Sequence, residues 1–429
     1  MVTIEEIYRL FLSYPKISTD SRNVTSGSIF FGIKGDQFDG NKFAAEALSN
    51  GAAYAVTDNP SLSGSRYILV NDTVGTLQKL ALIHRSRITA KIIGITGSNG
   101  KTTTKELIGK VLSSAYKTVI TSGNLNNHIG VPLTLLSVKE DTAFAVIEMG
   151  ANHPGEILNL CTIARPDFGL ITNIGKAHLE GFGNFEGVIK AKSELYDFIR
   201  QIGGNVFVNV DDKLLCRLSD GMNIFSYGSA SNADCRGEIT EKDPSLAIAW
   251  YSCPEHGFTR TMLYGDYNFE NVMAAISVGL YFRITAENID HAIASYRPEN
   301  NRSQITTTDH NVLLLDAYNA NPSSMAAALN NFRNYAANSK MIILGDMMEL
   351  GDHSLEEHKE IVALVRTLSF DKVFFVGEQF CKAAKGGQEL CFSGIQQAEK
   401  WFSDHPVRNM TIMLKGSRKM MLEKLSHLF

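Results

Sequence analysis

The 429-residue sequence has no Cys-x-x-Cys pair among its six cysteines, no excess of basic residues and no run approaching twenty apolar residues. Each absence removes a class of protein. The scattered Cys161, Cys216, Cys235, Cys253, Cys381 and Cys391 argue against a zinc ribbon or a thioredoxin-like centre, and nearly all are expected to be packing residues in a reducing compartment. With 41 Lys and Arg against 45 Asp and Glu, the net charge of -4 supplies no global positive field for a phosphate backbone, so no nucleic-acid partner is expected. A membrane span needs about 20 apolar residues. A secretory leader places Lys or Arg ahead of its apolar stretch, whereas this chain opens Met1-Val2-Thr3-Ile4-Glu5-Glu6. A cytoplasmic location without a membrane span is the expectation. Proline is scarce at 10 residues, and 44% hydrophobic and 20% charged content excludes collagen-like and disordered chains.

The length corresponds to about three domains at roughly 150 residues each, and three blocks of different texture are visible. The first, 1–88, carries short strand patterns at Ser28–Ile33 and Ala53–Val56 with a helical stretch from Lys42 to Asn50, a small α/β module. The second, 89–297, opens with the apolar run Lys91–Thr96 and continues with strand candidates at Ala143–Glu148, Phe168–Ile174 and Val206–Val210, separated by longer, partly helical segments. Such alternation predicts a mostly parallel sheet covered on both faces. The polar stretch Tyr296–Asn301 reads as a linker. The third block, 298–429, has apolar runs at Val312–Leu315, Met341–Leu344, Val373–Val376 and Thr411–Leu414 with a helical pattern at Leu355–Leu368. It is expected to be a doubly wound, Rossmann-like α/β domain.

The strongest chemical signal is Gly94-Ile95-Thr96-Gly97-Ser98-Asn99-Gly100-Lys101-Thr102-Thr103, between a predicted strand and the helical pattern Lys101–Ser114. Glycines there let backbone N–H groups surround phosphate oxygens at a helix N-terminus. Lys101 is suited to the terminal phosphates and Thr102 to Mg2+. The general pattern G-x-x-x-x-G-K-S/T is not met, because Ile95 stands where its first Gly belongs.

That variant, T-G-S/T-x-G-K-T, resembles the loop of the Mur ligases, ATP-dependent amide-forming enzymes, and the resemblance extends nearly end to end. Asp20-Ser21-Arg22 resembles a uridine-nucleotide module, in which a hydroxyl and a guanidinium suit a diphosphate. The Asn-rich loop Gly123–Pro132 resembles the family's loop near the ATP γ-phosphate. Glu148, ending a predicted strand beside the phosphate loop, is implied as a Mg2+ ligand, with His178 as a metal-associated histidine. Lys192 matches a lysine that related ligases convert to a carbamate, and Lys190 is its nearest competitor. Asn268 and Asn271 match the segment flanking adenine, with Tyr267 where the family usually has His.

In the third block, Arg302, Asp316–Pro322, Leu344–Gly351 and Leu414–Arg418 resemble the branch that adds a dipeptide. By that resemblance Arg302 and Asp316 reach the nucleotide, and Asn319, Asn321, Lys415 and Arg418 are candidates for the incoming unit. The implied enzyme is a monomer that joins D-Ala-D-Ala to UDP-MurNAc-tripeptide with ATP, two Mg2+ ions and a carbamylated Lys192. It would use Lys101, Glu148, His178 and Lys192 catalytically, and Thr102, Glu148, His178 and Lys192 around the metal. The loop Gly97–Thr103 with Asn268, Asn271, Arg302 and Asp316 would hold ATP. A sibling ligase adding another amino acid, or a P-loop NTPase switch, is the alternative.

Overall fold

The computed structural model describes residues 2–35, 38–242, 245–298, 302–337 and 339–429. Three sheets follow one another along the chain. The first is fully parallel, with strands β1 (Ile17–Ser18), β2 (Ile29–Phe31), β3 (Tyr54–Thr57) and β4 (Tyr67–Leu69) in that spatial order. Helix Ile4–Ser13 opens the module behind a Thr3–Glu6 capping box, two reciprocal bonds that satisfy otherwise orphaned N–H groups. Helix Thr73–Arg87 closes it and packs on the second sheet's helices Gly130–Leu136 and Glu156–Ala164.

The second sheet has nine strands: β5 (Lys91–Thr96), β6 (Thr118–Ile120), β7 (Phe144–Glu148), β8 (Phe168–Ile171), β9 (Asn205–Asn209), β10 (Asn223–Gly228), β11 (Cys235–Glu241), β12 (Ala247–Ser252) and β13 (Glu255–Arg260). Their spatial order is β13-β12-β11-β10-β9-β8-β5-β7-β6. All pairs from β6 through β11 are parallel, as the alternation predicted, but β11, β12 and β13 form an antiparallel meander that sequence reading did not anticipate. β5 is buried along all but its first residue, because parallel strands covered on both faces are apolar throughout. It lies between β7 and β8, so chain direction across the sheet reverses there. At such a point the crevice beyond the strands' carboxyl ends receives ligands.

The third sheet runs β14-β15-β19-β16-β17-β18, with β14 (Gln304–Thr307) antiparallel to β15 (Val312–Asp316). The remaining strands β16 (Lys340–Gly345), β17 (Lys372–Val376), β18 (Leu390–Phe392) and β19 (Thr411–Lys415) are parallel. β14 and β18 were not foreseen. Within the expected linker, Tyr296 is buried and Glu299, Asn300 and Asn301 lie outside the described residues. One apolar core runs through all three modules, including Leu77 and Leu80 of the first, Leu135 and Leu160 of the second and Met325 and Leu329 of the third. The cysteines divide: Cys161 and Cys235 are buried, Cys216 and Cys381 half-buried, but Cys253 and Cys391 are exposed. The last two are therefore not core-packing residues.

Candidate active site

The carboxyl ends of β5, β7 and β8 open into a cleft of about 880 Å³ shared with the third module. Ser98 to Thr103 line it. Gly97 (φ +142°) and Gly100 (φ +78°) adopt backbone conformations that L side chains rarely tolerate, and a Cβ at either would overlap Thr172 Oγ1 or Asn271 Oδ1. The loop is braced from the β8 end: Thr172 Oγ1 donates to the Asn99 carbonyl (2.6 Å), Asn173 Oδ1 accepts from Asn99 N (3.0 Å), and Ser98 Oγ donates to the Gly175 carbonyl (3.0 Å). Thr172 and Asn173 are contributors that sequence reading placed near the site but gave no role. Lys101 Nζ folds back onto the carbonyls of Gly97 (2.6 Å) and Ser98 (3.2 Å). Burial pushes its pKa down, partly opposed by Glu148.

Glu148, 1% exposed, ends β7. Its Oε1 accepts from Asn126 Nδ2 of the Asn-rich loop at 2.8 Å, while Oε2 is buried without a hydrogen bond among the described residues. The nearest cation is Lys105 Nζ at 3.8 Å. Sequence reading missed Lys105; only its position one helical turn after Lys101 could have suggested that it points the same way. It donates to the Gly123 carbonyl at 3.2 Å, and burial pushes its pKa down.

A buried carboxylate oxygen without a hydrogen bond, in the same cleft lining as Thr102, fits a hard divalent cation. Among the described residues no three His, Cys, Asp or Glu side chains converge into a metal cluster. Mg2+ does not require one, since it is commonly held by one or two carboxylates plus substrate phosphates.

Lys192 and Lys190 are separated by burial: Lys190 is exposed, and Lys192 is 1% exposed on the inner face of helix Phe185–Gln201. Lys192 Nζ has the Ala151 carbonyl at 3.4 Å and the Phe182 ring centroid at 5.4 Å. Desolvation, then Lys101, brings its pKa down to about 7. It sits behind the cleft wall, whose Ala151 and Asn152 line the cavity. His178, in the left-handed region at φ +52°, lines the cleft with Nδ1 2.5 Å from Glu349 Oε2. His178 therefore faces the third module.

The third module contributes Arg302, Asp316, Asn319, Asn321 and Lys415 to the cleft wall. Asp316 and Lys415 end paired strands β15 and β19 and form an ion pair, with Lys415 2% exposed. Its charge is thus already matched. Asn321 caps helix Pro322–Asn334 with Ser324 and donates from Nδ2 to Asn99 Oδ1 at 2.8 Å, tying the module to the phosphate loop. Arg302 stacks over Tyr318 at 3.7 Å. Arg418, mostly exposed, pairs with Glu423 at 3.3 Å and is 5.9 Å from the Tyr318 ring centroid.

Asn268 and Asn271 line the cleft, are buried and are engaged within the protein. Asn268 donates to the Tyr264 carbonyl (2.7 Å), Asn271 Nδ2 donates to Asn268 Oδ1 (2.8 Å), and Asn271 Oδ1 accepts from Thr104 (2.9 Å). Tyr267 OH meets Ser303 Oγ at 2.9 Å. In the Leu344–Gly351 string, Asp346 accepts from the N–H groups of Gln379 and Phe380 (3.0 and 2.9 Å), the start of helix Glu378–Ala383. Asp346 is structural, whereas Glu349 of that string reaches His178. Asp20, Ser21 and Arg22 do not line the cleft. Arg22 pairs with Asp20 at 2.8 Å and is otherwise exposed, while Ser21 is buried.

A phosphate loop at a sheet switch point, a buried acid beside it and a third module closing over both define a nucleotide-dependent enzyme assembled from three modules. Family comparisons carry this further. The Mur ligase family catalytic domain matches residues 14–88, the Mur ligase middle domain 95–279, and the Mur ligase glutamate ligase domain 301–418. The chain belongs to the Mur ligase family. It is similar to the UDP-N-acetylmuramoyl-tripeptide--D-alanyl-D-alanine ligase of Bacillus subtilis, 34% identical over 95% of this chain and 92% of that one. Among solved structures it is similar to MurF from Acinetobacter baumannii (TM-score 0.87, 32% identity, 96% and 92% of the two chains). It is also similar to MurF from Thermotoga maritima in complex with ADP (TM-score 0.85, 26% identity, 97% of each chain).

Proposed function

We propose that this chain joins D-Ala-D-Ala to UDP-MurNAc-tripeptide, consuming ATP and releasing ADP and phosphate. The observation that carries it is one cleft in which the loop holding Lys101, the buried Glu148 and the Asp316–Lys415 strand ends face one another. The terminal carboxylate of the tripeptide attacks the γ-phosphorus of ATP, ADP leaves, and an acyl phosphate results. The dipeptide amine then attacks the acyl carbon, the tetrahedral adduct expels phosphate, and the amine's surplus proton is lost. Lys101, released from the Gly97 and Ser98 carbonyls, would neutralise charge on the transferring group. Thr102 and Glu148 would hold Mg2+, which supplies Lewis-acid stabilisation of phosphoryl oxygens when bound.

Lys192, with its pKa near 7, keeps an unprotonated amine available for CO2 at neutral pH. His178 would reach a metal only by giving up Glu349. The modules 1–88, 89–297 and 298–429 would take the uridine nucleotide, ATP and the dipeptide, with Asp20, Ser21 and Arg22 on the uridine diphosphate. Of the dipeptide candidates, Asn319 is the best placed, because it lines the cleft while Lys415 is paired and Asn321 caps a helix; Arg418 lies outside the cleft lining and would have to leave Glu423 to reach the dipeptide. Contacts such as Asn321 with Asn99 and His178 with Glu349 join the second and third modules, a closure suited to excluding water from an acyl phosphate. No helix among the described residues is long and apolar enough to cross a membrane; a cytoplasmic monomer acting on soluble nucleotide substrates is part of the same proposal.

The test is phosphate release from ATP with each substrate omitted in turn. Release should require both UDP-MurNAc-tripeptide and D-Ala-D-Ala; comparable release from ATP alone would favour an NTPase switch and sink the proposal.

A further inference from the structure

The first turn of helix Asn268–Tyr281 borders the nucleotide cleft through three polar residues: Asn268, Glu270 and Asn271. The two asparagines are engaged with Tyr264, Thr104 and each other. They lock this helix to the phosphate-loop helix Lys101–Ser113 rather than reaching outward. Glu270 is the exception. It lines the cleft, and among the described residues it makes no hydrogen bond or ion pair.

Its charged neighbours are Asp211 and Asp212, at the turn after β9, which repel a further negative charge; desolvation and these two acids raise its pKa to about 7. Both acids are themselves committed. Asp211 accepts from the N–H groups of Ser229 and Ala230, and Asp212 caps helix Lys213–Leu218. Neither can serve as a donor to Glu270. A carboxylate held half-buried with no donor of its own costs stability in the empty protein unless something arrives to satisfy it.

We propose that Glu270 is a specificity residue that accepts hydrogen bonds from the donor groups of the nucleoside part of ATP. This rests on the cleft being the ATP site. An ionised carboxylate accepts only, and a ligand donor favours that ionised form, so the matching chemistry is a pair of ribose hydroxyls or an exocyclic amine. Polyphosphate is excluded at this point by charge. The phosphate loop and Glu270 thus divide the ligand: N–H groups and Lys101 take its anionic end, and Glu270 takes a donor at its neutral end.

The experiment compares equilibrium binding of ADP, 2′,3′-dideoxy-ADP and purine riboside diphosphate, which lacks the amine, to the full-length wild-type chain and to Glu270→Leu. Glu270→Gln, which keeps one acceptor oxygen, serves as the near-isosteric variant, and thermal melts establish that both variants are folded. Leucine should weaken ADP about tenfold or more, as expected for losing a charge-assisted hydrogen bond, with glutamine in between. The loss should shrink markedly for one analogue, which identifies the donor. A loss below tenfold on ADP, or an equal loss on all three ligands, overturns the assignment. If the wild-type chain fails to bind ADP, the ligase proposal falls first and this inference with it; ADP binding that Glu270→Leu leaves intact removes this inference alone.

Discussion

Lys192→Met should make the protein more stable at neutral pH while abolishing ligase activity. Lys192 has an ordinary value of 10.5 and a folded-state pKa of about 7, caused first by desolvation and then by Lys101. At pH 7.5 the unfolded chain keeps this amine protonated and the folded chain mostly does not, so folding must remove a proton at a cost of about 4 kcal/mol. Methionine has similar volume and no proton to lose. It forgoes the contact with the Ala151 carbonyl at 3.4 Å, worth about 1 kcal/mol, leaving the variant ahead by about 3 kcal/mol.

The sign follows from proton counting. Between about pH 7 and 10.5 the unfolded state binds more protons at this position, so wild-type stability rises with pH there. The variant's advantage is full below about pH 7, shrinks by about 1.4 kcal/mol per pH unit above it, and, with the forgone Ala151 contact counted, is gone by about pH 10. Denaturant unfolding of both proteins from pH 6.5 to 9.5, in CO2-depleted and nucleotide-free buffer, reads this directly. Adding bicarbonate should stabilise wild type and not the variant, since a carbamate forms only on the folded protein's neutral amine. Equal pH slopes, or a variant less stable than wild type at pH 7.5, would refute the reasoning.

Gly97→Ala forces a side chain into φ +142° and against Thr172 Oγ1, and should cost about 2 to 4 kcal/mol from backbone strain and the lost Thr172–Asn99 bond; a thermal melt and ADP titration check both effects. Arg22→Ala removes an exposed surface pair and should leave the melting temperature unchanged while raising KM for UDP-MurNAc-tripeptide about tenfold and sparing KM for ATP. Arg418→Ala should raise the dipeptide KM, whereas Lys415→Ala, which strands Asp316, should lower stability and weaken ATP; steady-state kinetics with each substrate varied separates the two.

Much of the site was legible because its signals are local. Lys91–Thr96 is apolar throughout, as a doubly covered strand must be, and the glycines after it mark a loop whose backbone has to crowd an anion. Glu148 and Asp316 end apolar runs, so their placement at strand termini followed from the runs themselves. What stayed hidden depends on pairings between distant segments. β12 and β13 are strands because each has the other as antiparallel neighbour, and a single strand's pattern does not state its partner's direction. Lys105 looked like one of many helix lysines, and only the folded packing of Gly123 and Glu148 around it distinguishes it.

The asparagines sharpen the same point. Asn268, Asn271 and Asn321 stand where ligand contacts were expected, yet each side chain carries an internal load: two bind the seam between helices Lys101–Ser113 and Asn268–Tyr281, and the third caps a helix while touching Asn99. An asparagine has four hydrogen-bonding positions, so these internal bonds leave room for ligand contacts but fix the direction they must come from. Substituting any of them would therefore change loop position and ligand affinity together. Glu270 differs because no internal bond among the described residues claims it, and its variants would test the proposed recognition of the nucleotide apart from the packing that holds the phosphate loop in place.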